Sequence, residues 1–511
     1  MRVRTFFSAF LVLIVLAAVI SLSVFISPSQ DSVRPDALSP SNSIQQENQL
    51  PGTTAWQWTN VAMYDEKTSR FPDIEGYAWT TSAISGDTIS FSVSTNSQTF
   101  TADIYRLGWY QGTGGRLIKS IAKIPGSFYP MSTMDSQTGL VDANWPVAFT
   151  LNIDPTWVTG IYIVKLTAAN GKQGYIPFVI RSQRPAAFTF IHASDTDQAY
   201  NPWGGKSLYE FNSSNRKRAY KVSYNRPLAT DGKPGWGNLF YWEYPMLRYL
   251  EKQGYDLEYI SCIDSYTDTN VFNNHKGVLI IGHDEYWAKE SRDHLEAAVS
   301  KGVSLAVFAG NTMGWQVRYE PSGSKNSRPN RIIVCYKDVR LDPLSDKDNS
   351  HVTVSFENSP LKQPTQLLLG SMSRDYFHGS GYPWVVADAT SWIFAGTNLK
   401  NGDSLPGLVG YEYDSVDKDY PIPPGTKIVA ESPVNGIGHP NDKADATLYT
   451  AKSGARVFDA GTIQWSVGLD DFGSNVLGFT PMVNVAAQKI TDNILQNLLS
   501  GPHSAASTNT I

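Results

Sequence analysis

Between Gly277 and Trp287 the chain runs Gly-Val-Leu-Ile-Ile-Gly-His-Asp-Glu-Tyr-Trp, an apolar stretch that ends on four side chains able to ligate a metal or move a proton. Val278 to Ile281 is a short β-branched and aliphatic run, the pattern of a strand covered on both faces and so of a parallel sheet in an α/β domain. Open sheets of that kind bind ligands beyond the carboxyl ends of their strands. His283, Asp284, Glu285 and Tyr286 fall at that edge, which makes the first three candidate acid-base groups. The same turn also suits a structural role, with Asp284 or Glu285 capping a helix that begins near Ala288 while Tyr286 and Trp287 pack.

The flanking residues supply the elements that would hold such a site. Ala288 to Lys301 has the apolar spacing of a helix, with Leu295, Ala298 and Val299 on one face and Gly302 past its end. A second buried strand, Val303 to Phe308, runs into Ala309-Gly310-Asn311, completing a βαβ unit. Upstream, Pro245 to Gln253 suits a helix closed by Gly254, and Asp256 to Ile260 suits a strand. Ala187 to Ile191 is another strand, ending on His192-Ala-Ser-Asp-Thr-Asp197. Several crossovers in series imply a doubly wound sheet. Tyr200-Asn201-Pro202-Trp203-Gly204-Gly205-Lys206 follows that strand and so lies on the same edge, where Gly204 and Gly205 would let backbone amides approach an anionic or carbonyl group. Tyr200, Asn201, Trp203, Gly204, Gly205 and Asn311 are therefore candidate substrate contacts, although a Gly pair serving only a tight loop is the simpler reading. No Gly-x-Ser-x-Gly elbow occurs, which disfavours a serine nucleophile.

Composition divides the chain further. Arg2 and Arg4 precede an apolar run over residues 6–26 long enough to cross a bilayer, so residues 1–27 are expected to be a signal peptide or membrane anchor, with the rest outside the cytoplasmic membrane. Residues 28–53 are rich in Ser, Pro, Gln and Asn and are expected to be a disordered tether. Residues 54–182 lack a helical period and carry strands such as Thr88 to Val93, Phe100 to Tyr105 and Gly160 to Thr167, the pattern of an immunoglobulin-like β-sandwich. Residues 183–500 form the expected α/β domain, with a β-rich insertion at about 320–455 that includes a short strand at Gln366 to Leu369. Thr480 and Pro481 suit the start of a last helix reaching about Leu499, and residues 501–511 suit a frayed tail.

The 42 basic and 47 acidic residues leave a formal net charge of -5, with no basic stripe to neutralise phosphates, so no nucleic-acid partner is expected. Cys262 and Cys335 are the only cysteines, which excludes a disulfide scaffold or a cysteine-rich metal site. A Cys262–Cys335 bond and two buried thiols are both compatible with the sequence.

Five separated motifs carry a family resemblance: Ile104-Tyr-Arg-Leu-Gly-Trp-Tyr110 with Gly114-Gly-Arg116, Ala199-Tyr-Asn-Pro-Trp-Gly-Gly-Lys-Ser207, Gly282-His-Asp-Glu-Tyr-Trp287, Gly407-Leu-Val-Gly-Tyr-Glu-Tyr-Asp414 and Gly461-Thr-Ile-Gln-Trp465. Together they resemble the large-subunit family of N,N-dimethylformamidase, from about residue 75 to 500. The resemblance implies a hydrolase of C–N amide bonds acting on a small-molecule amide. It also implies a glutamine-amidotransferase-like α/β core and a lone iron held by two tyrosines and a glutamate. Carried over by position, Tyr286 is one metal ligand and Tyr244, which immediately precedes Pro245, is the second. The sequence departs from the family at Gln316, where Trp315-Gln316-Val317-Arg318 stands in place of a Glu before Val-Arg. Gln is a neutral ligand, whereas a hard ion takes anionic oxygen, so either Glu320 or Glu285 supplies the carboxylate or no metal is bound. The competing expectation is a non-catalytic cell-envelope protein that binds polysaccharide or a protein partner through Trp- and Tyr-rich surfaces.

Overall fold

In the computed structural model the strand expected at Val278 runs from Gly277 to Gly282, and its side chains alternate between two cores. Leu279 and Ile281 enter one core, Val278 and Ile280 the other. The neighbouring strand Ser304–Ala309 divides in the same way, with Ala306 and Phe308 opposite Leu305 and Val307. A sheet covered on both faces leaves its strand ends as the place where polar side chains meet solvent. The described residues are 43–62, 73–229, 238–323, 327–379, 381–472 and 482–501.

This sheet has seven strands in the order Leu257–Ser261, Phe188–His192, Gly277–Gly282, Ser304–Ala309, Arg456–Asp459, Asp442–Thr450, Lys427–Val434. The first five are mutually parallel, and the last two are joined on by antiparallel pairing. In chain order the parallel strands stand 2-1-3-4-5. The chain therefore leaves Phe188–His192 and Gly277–Gly282 in opposite directions, and in open sheets a ligand crevice forms beyond the carboxyl ends at such a switch point.

Residues 73–180 form a three-stranded sheet (Ile74–Ala78, Thr88–Thr95, Phe149–Asn152) facing a five-stranded one (Ser82–Ala83, Gln173–Ile180, Gly160–Ala168, Thr99–Leu107, Gly115–Pro125). Strand Gly160–Ala168 is buried almost throughout because it serves two cores: Tyr162, Val164 and Leu166 fill the space between the sheets, while Ile161 and Ile163 join a core shared with Phe188, Phe190 and Leu247. The two halves of the chain are thus joined by continuous apolar packing. At the same seam Arg106 and Glu251, both with fully buried side chains, form an ion pair at 2.7 Å.

Several expectations are corrected. The tether expected over residues 28–53 is replaced, from Ser43 onward, by a short helix, Ser43–Glu47, with Ile44, Glu47 and Asn48 buried. Glu47 accepts from Arg116 at 2.6 Å, and Asn48 donates to Glu251 at 2.7 Å. These partners lie far along the chain, so composition gives no sign of them. Gln366–Leu369, expected as a strand, is one helical turn closed by Gly370 in the left-handed region. Tyr286–Ala288 is a strand of a second, four-stranded sheet with Trp315–Glu320, Ile332–Val334 and Lys221–Ser223, and the helix after it starts at Lys289. The last helix is Val485–Leu499, capped by the Asn484 side chain; Thr480 and Pro481 lie outside the described residues. So do residues 1–42, which contain the apolar amino-terminal run. Among the described residues no helix is long and apolar enough to cross a membrane. Cys262 and Cys335 are both buried free thiols.

Candidate functional site

The crevice between the carboxyl ends of Phe188–His192 and Gly277–Gly282 is bordered by a helix, Ser194–Tyr200, that follows the first strand. Its Thr196 side chain accepts the Glu285 backbone N–H at 3.0 Å, fixing the turn after the second strand. That turn needs its glycine: Gly282 has φ +69, and a Cβ there would lie 2.2 Å from the Cβ of Trp242. The chain then continues through His283 and Glu285, both buried.

Glu285 is the centre of the cluster. One carboxylate oxygen, Oε2, accepts from the Tyr200 hydroxyl at 2.8 Å and lies 3.5 Å from Nε2 of His283. The other, Oε1, accepts from the Tyr209 hydroxyl and from Nε1 of Trp315 at 2.9 Å. The two phenol oxygens are 3.1 Å apart. Burial alone would raise the Glu285 carboxyl, but the His283 ring, the Lys337 ammonium and the Tyr209 hydroxyl outweigh it and hold it at about 2. Burial and the Glu285 charge push the Tyr200 and Tyr209 hydroxyls well above the ordinary phenol range.

Beside this group stands an imidazole–carboxylate pair. Nε2 of His283 is 2.9 Å from Oε2 of Glu412, in the strand Glu412–Ser415, and burial is overcome by the two flanking carboxylates, which raise the imidazole to about 10. The Asn311 side chain donates to Glu412 at 3.1 Å and lies 3.2 Å from His283. Asn311 holds φ +51, and its backbone N–H donates to buried Asp414 at 2.7 Å, so the turn after Ser304–Ala309 is pinned from below. On the other side of Glu285, Lys337 donates to the Tyr286 hydroxyl at 2.6 Å and lies 3.5 Å from the centre of the Tyr209 ring and 4.5 Å from that of Trp315. Burial lowers its ammonium to about 8, against the pull of Glu285.

The structure therefore brings together His283, Glu285, Tyr200 and Asn311 of the residues singled out in the sequence, with Tyr286 one step behind, its ring 6.3 Å from that of Tyr209. It does not bring in the others. The Tyr244 hydroxyl donates to the Gly114 carbonyl, and its ring packs on Trp56, Phe240 and Phe472 at the seam between the two halves. Glu320 pairs with Lys221 at 2.5 Å. Gln316 donates to the carbonyls of Ser350 and Val352, so the departure from the family pattern falls on a structural position. Asp284 is buried within reach of the charges of Asp195, Glu243, His283 and His192, and burial first, then the Asp195 charge, raises its carboxyl well above the usual range. Asn201, fully buried, cross-links its own loop to Pro227 and Ala229. Trp203 donates to Glu75 at 2.8 Å, and Gly204 and Gly205, both at positive φ, leave room for Val141 and Ser214.

Tyr209, Trp315, Lys337 and Glu412 were missed as site residues. A signal existed for two of them: Tyr209 stands nine positions after Tyr200 just past one recognised motif, and Glu412 lies inside another. Trp315 and Lys337 reach the site through the second sheet and its continuation, which no local pattern announces. Among the described residues no group of three or more His, Cys, Asp or Glu side chains is arranged to hold a metal ion. Any ion held at this cluster would therefore draw on phenol oxygens as well as carboxylate.

Comparison with known proteins agrees with the motifs. Residues 101–478 match the family model described as N,N-dimethylformamidase beta subunit-like, C-terminal. The N,N-dimethylformamidase beta subunits of Alcaligenes sp and Paracoccus aminophilus are each 23% identical to this chain over 428 residues, covering 69% of it and 55% of the relative. The chain thus matches about half the length of these relatives. Among solved structures, a Paenibacillus sp. cycloisomaltooligosaccharide glucanotransferase aligns over 61% of this chain at 9% identity with a TM-score of 0.16, too low to bear on the fold. By the extent of the family match, this chain belongs to the N,N-dimethylformamidase beta subunit-like family.

Proposed function

We propose that this chain hydrolyses a C–N amide bond at the Glu285 cluster. One observation carries the reading: two phenols, Tyr200 and Tyr209, converge on the Glu285 carboxylate directly beside the His283–Glu412 pair. Two phenol oxygens and a carboxylate would make a hard oxygen donor set of the kind that suits the iron implied by the resemblance. Tyr200, Tyr209 and Glu285 would hold the ion, replacing the Tyr286 and Tyr244 pair expected from sequence. Bound there, it would polarise the amide carbonyl and make water more acidic.

The protein's own groups supply the proton transfers. Glu412 takes a proton from the attacking water as its oxygen bonds to the carbonyl carbon. His283, cationic between two carboxylates, gives a proton to the departing nitrogen as the C–N bond breaks. The products are a carboxylic acid and an amine, and transfer from Glu412 to His283 across 2.9 Å restores the starting state. Asn311 holds the Glu412 oxygen toward the imidazole, and the Lys337 ammonium favours anionic oxygen at Tyr286 and Glu285.

We further assign the parallel 2-1-3-4-5 sheet to a doubly wound, amidotransferase-like core and the paired sheets before it to an immunoglobulin-like sandwich. Arg2 and Arg4 ahead of the apolar residues 6–26 support a location outside the cytoplasmic membrane, anchored or secreted. Membrane fractionation of the full chain tests that location. The test of function is metal analysis of the purified protein together with release of dimethylamine from N,N-dimethylformamide. Iron in the wild type, lost in Glu285→Gln and Tyr209→Phe, with hydrolysis reduced at least about a hundredfold in His283→Asn, is the expected result. A wild-type protein that neither holds metal nor cleaves any amide would overturn it.

A further inference from the structure

Two exposed aromatic side chains flank the cluster, and the amide chemistry does not use them. Phe211 is 69% exposed, yet its ring centre is only 5.4 Å from that of Tyr209 and 6.3 Å from that of Tyr200. Tyr200 in turn stands edge-on to His283 at 5.4 Å, so a continuous row of rings leads from the proton-transfer pair to the surface. Beside the pair, Tyr411 is 39% exposed, immediately precedes Glu412 and lies 6.3 Å from Trp242, the residue that packs over Gly282. Between these rings the floor is polar: Tyr200, Tyr209, Asn311, Trp315 and Glu412 are all partly open to solvent.

A ligand group that covers the Phe211 ring removes apolar surface from water, which favours its binding. A formamide-sized substrate beside Glu285 carries no large apolar group to cover Phe211. Phe211 also lacks the hydroxyl or indole donor that would accompany recognition of a sugar ring, so its surface suits an apolar group.

Resting on the reading above, we propose that the substrate is an amide bearing an aromatic or branched aliphatic substituent, with the reacting carbonyl beside Glu285 and the substituent stacked on Phe211. The arrangement is amphipathic in the order the ligand must be: charged groups where the bond breaks, and bare hydrocarbon outside it. Phe211 is then a specificity residue, remote from the reacting atoms.

The experiment compares N-benzylformamide with N,N-dimethylformamide as substrates of the wild type and of Phe211→Ala, with iron content measured in both proteins. The expected result is a wild-type preference for the benzyl amide and, in Phe211→Ala, an increase of about tenfold in KM for that substrate alone, kcat and iron content being unchanged. Phe211 is exposed, so the variant is expected to fold. If Phe211→Ala alters both substrates equally or lowers iron content, Phe211 props Tyr209 and the proposed subsite is wrong. If the two substrates are cleaved alike and the variant changes neither, the subsite is likewise excluded while amide hydrolysis stands. Failure of the wild type to cleave either amide removes the function itself, and the subsite with it.

Discussion

Gly282 and Trp242 share one corner of the crevice, with the indole-bearing Cβ standing 2.2 Å from where a side chain on the glycine would begin. Because Gly282 also has φ +69, both space and backbone conformation exclude any other residue there. The direction in which the chain leaves the central strand, and so the placement of His283 and Glu285, depends on this contact.

Gly282→Ala is therefore expected to cost about 2–4 kcal/mol of stability from strain and displacement of Trp242, and to lower kcat more than it raises KM. Urea unfolding and steady-state kinetics measure the two effects. An unchanged kcat would show that the turn tolerates the shift.

Replacing Glu412 with Gln keeps the contact with Asn311 but removes the carboxylate proposed to accept the proton. A loss of about 10²–10⁴-fold in kcat is expected with iron content intact, whereas Tyr209→Phe should lose both. If Glu412→Gln left kcat within a few-fold of wild type, the acid-base pairing with His283 would be wrong.

Glu251 accepts two bonds from Arg106, at 2.7 and 3.0 Å, and one each from Asn48 at 2.7 Å and Tyr259 at 2.9 Å, all in a buried seam. Glu251→Ala leaves the guanidinium uncompensated and should cost about 3–5 kcal/mol. The same variant should release residues 43–50, read as faster proteolysis there. A loss below about 1 kcal/mol would mean that water reaches the seam.

Glu75 is buried, accepts from Trp203, and is pushed by burial from 4.5 up to about 8. In the folded protein it therefore holds its proton over a range where the unfolded chain has lost it. The folded state binds more protons between those limits, so stability falls as pH rises from about 4.5 to 8 and is level above. Glu75→Gln removes the titration and keeps the acceptor. It should match the wild type near pH 4 and be about 2–4 kcal/mol more stable near pH 8.5. Equal pH profiles of melting temperature for the two proteins would refute this.

Asn201 separates structural from chemical roles at the same sheet edge. Its side chain makes bonds at 2.8 Å to the Pro227 carbonyl and 3.0 Å from the Ala229 N–H, with no contact to Glu285 among them. Asn201→Ala should cost about 1–3 kcal/mol by leaving buried backbone groups unpaired, with KM for the small amide unchanged in the surviving folded fraction. A selective rise in KM would return Asn201 to the substrate contacts.

Residue pattern alone located the buried strand at Val278 to Ile281, the helix after it, the strand that runs into Ala309-Gly310-Asn311 and the polar turn His283-Asp284-Glu285, because burial on two faces and helical spacing are written locally in the order of side chains. It also carried the family membership, through motifs that persist although their roles are not visible in one dimension. Which oxygens meet is a different kind of fact. Tyr200, Tyr209, Glu285 and Glu412 converge only because strand order 2-1-3-4-5 opens a crevice between the first and third strands, and because a second sheet carries Trp315 against the turn. Tyr244 was expected from its place before Pro245 to be the second metal ligand, yet the helix that carries it aims its hydroxyl at the Gly114 carbonyl. Local pattern determines which face of an element is apolar; the packing of distant elements decides where the polar ends point.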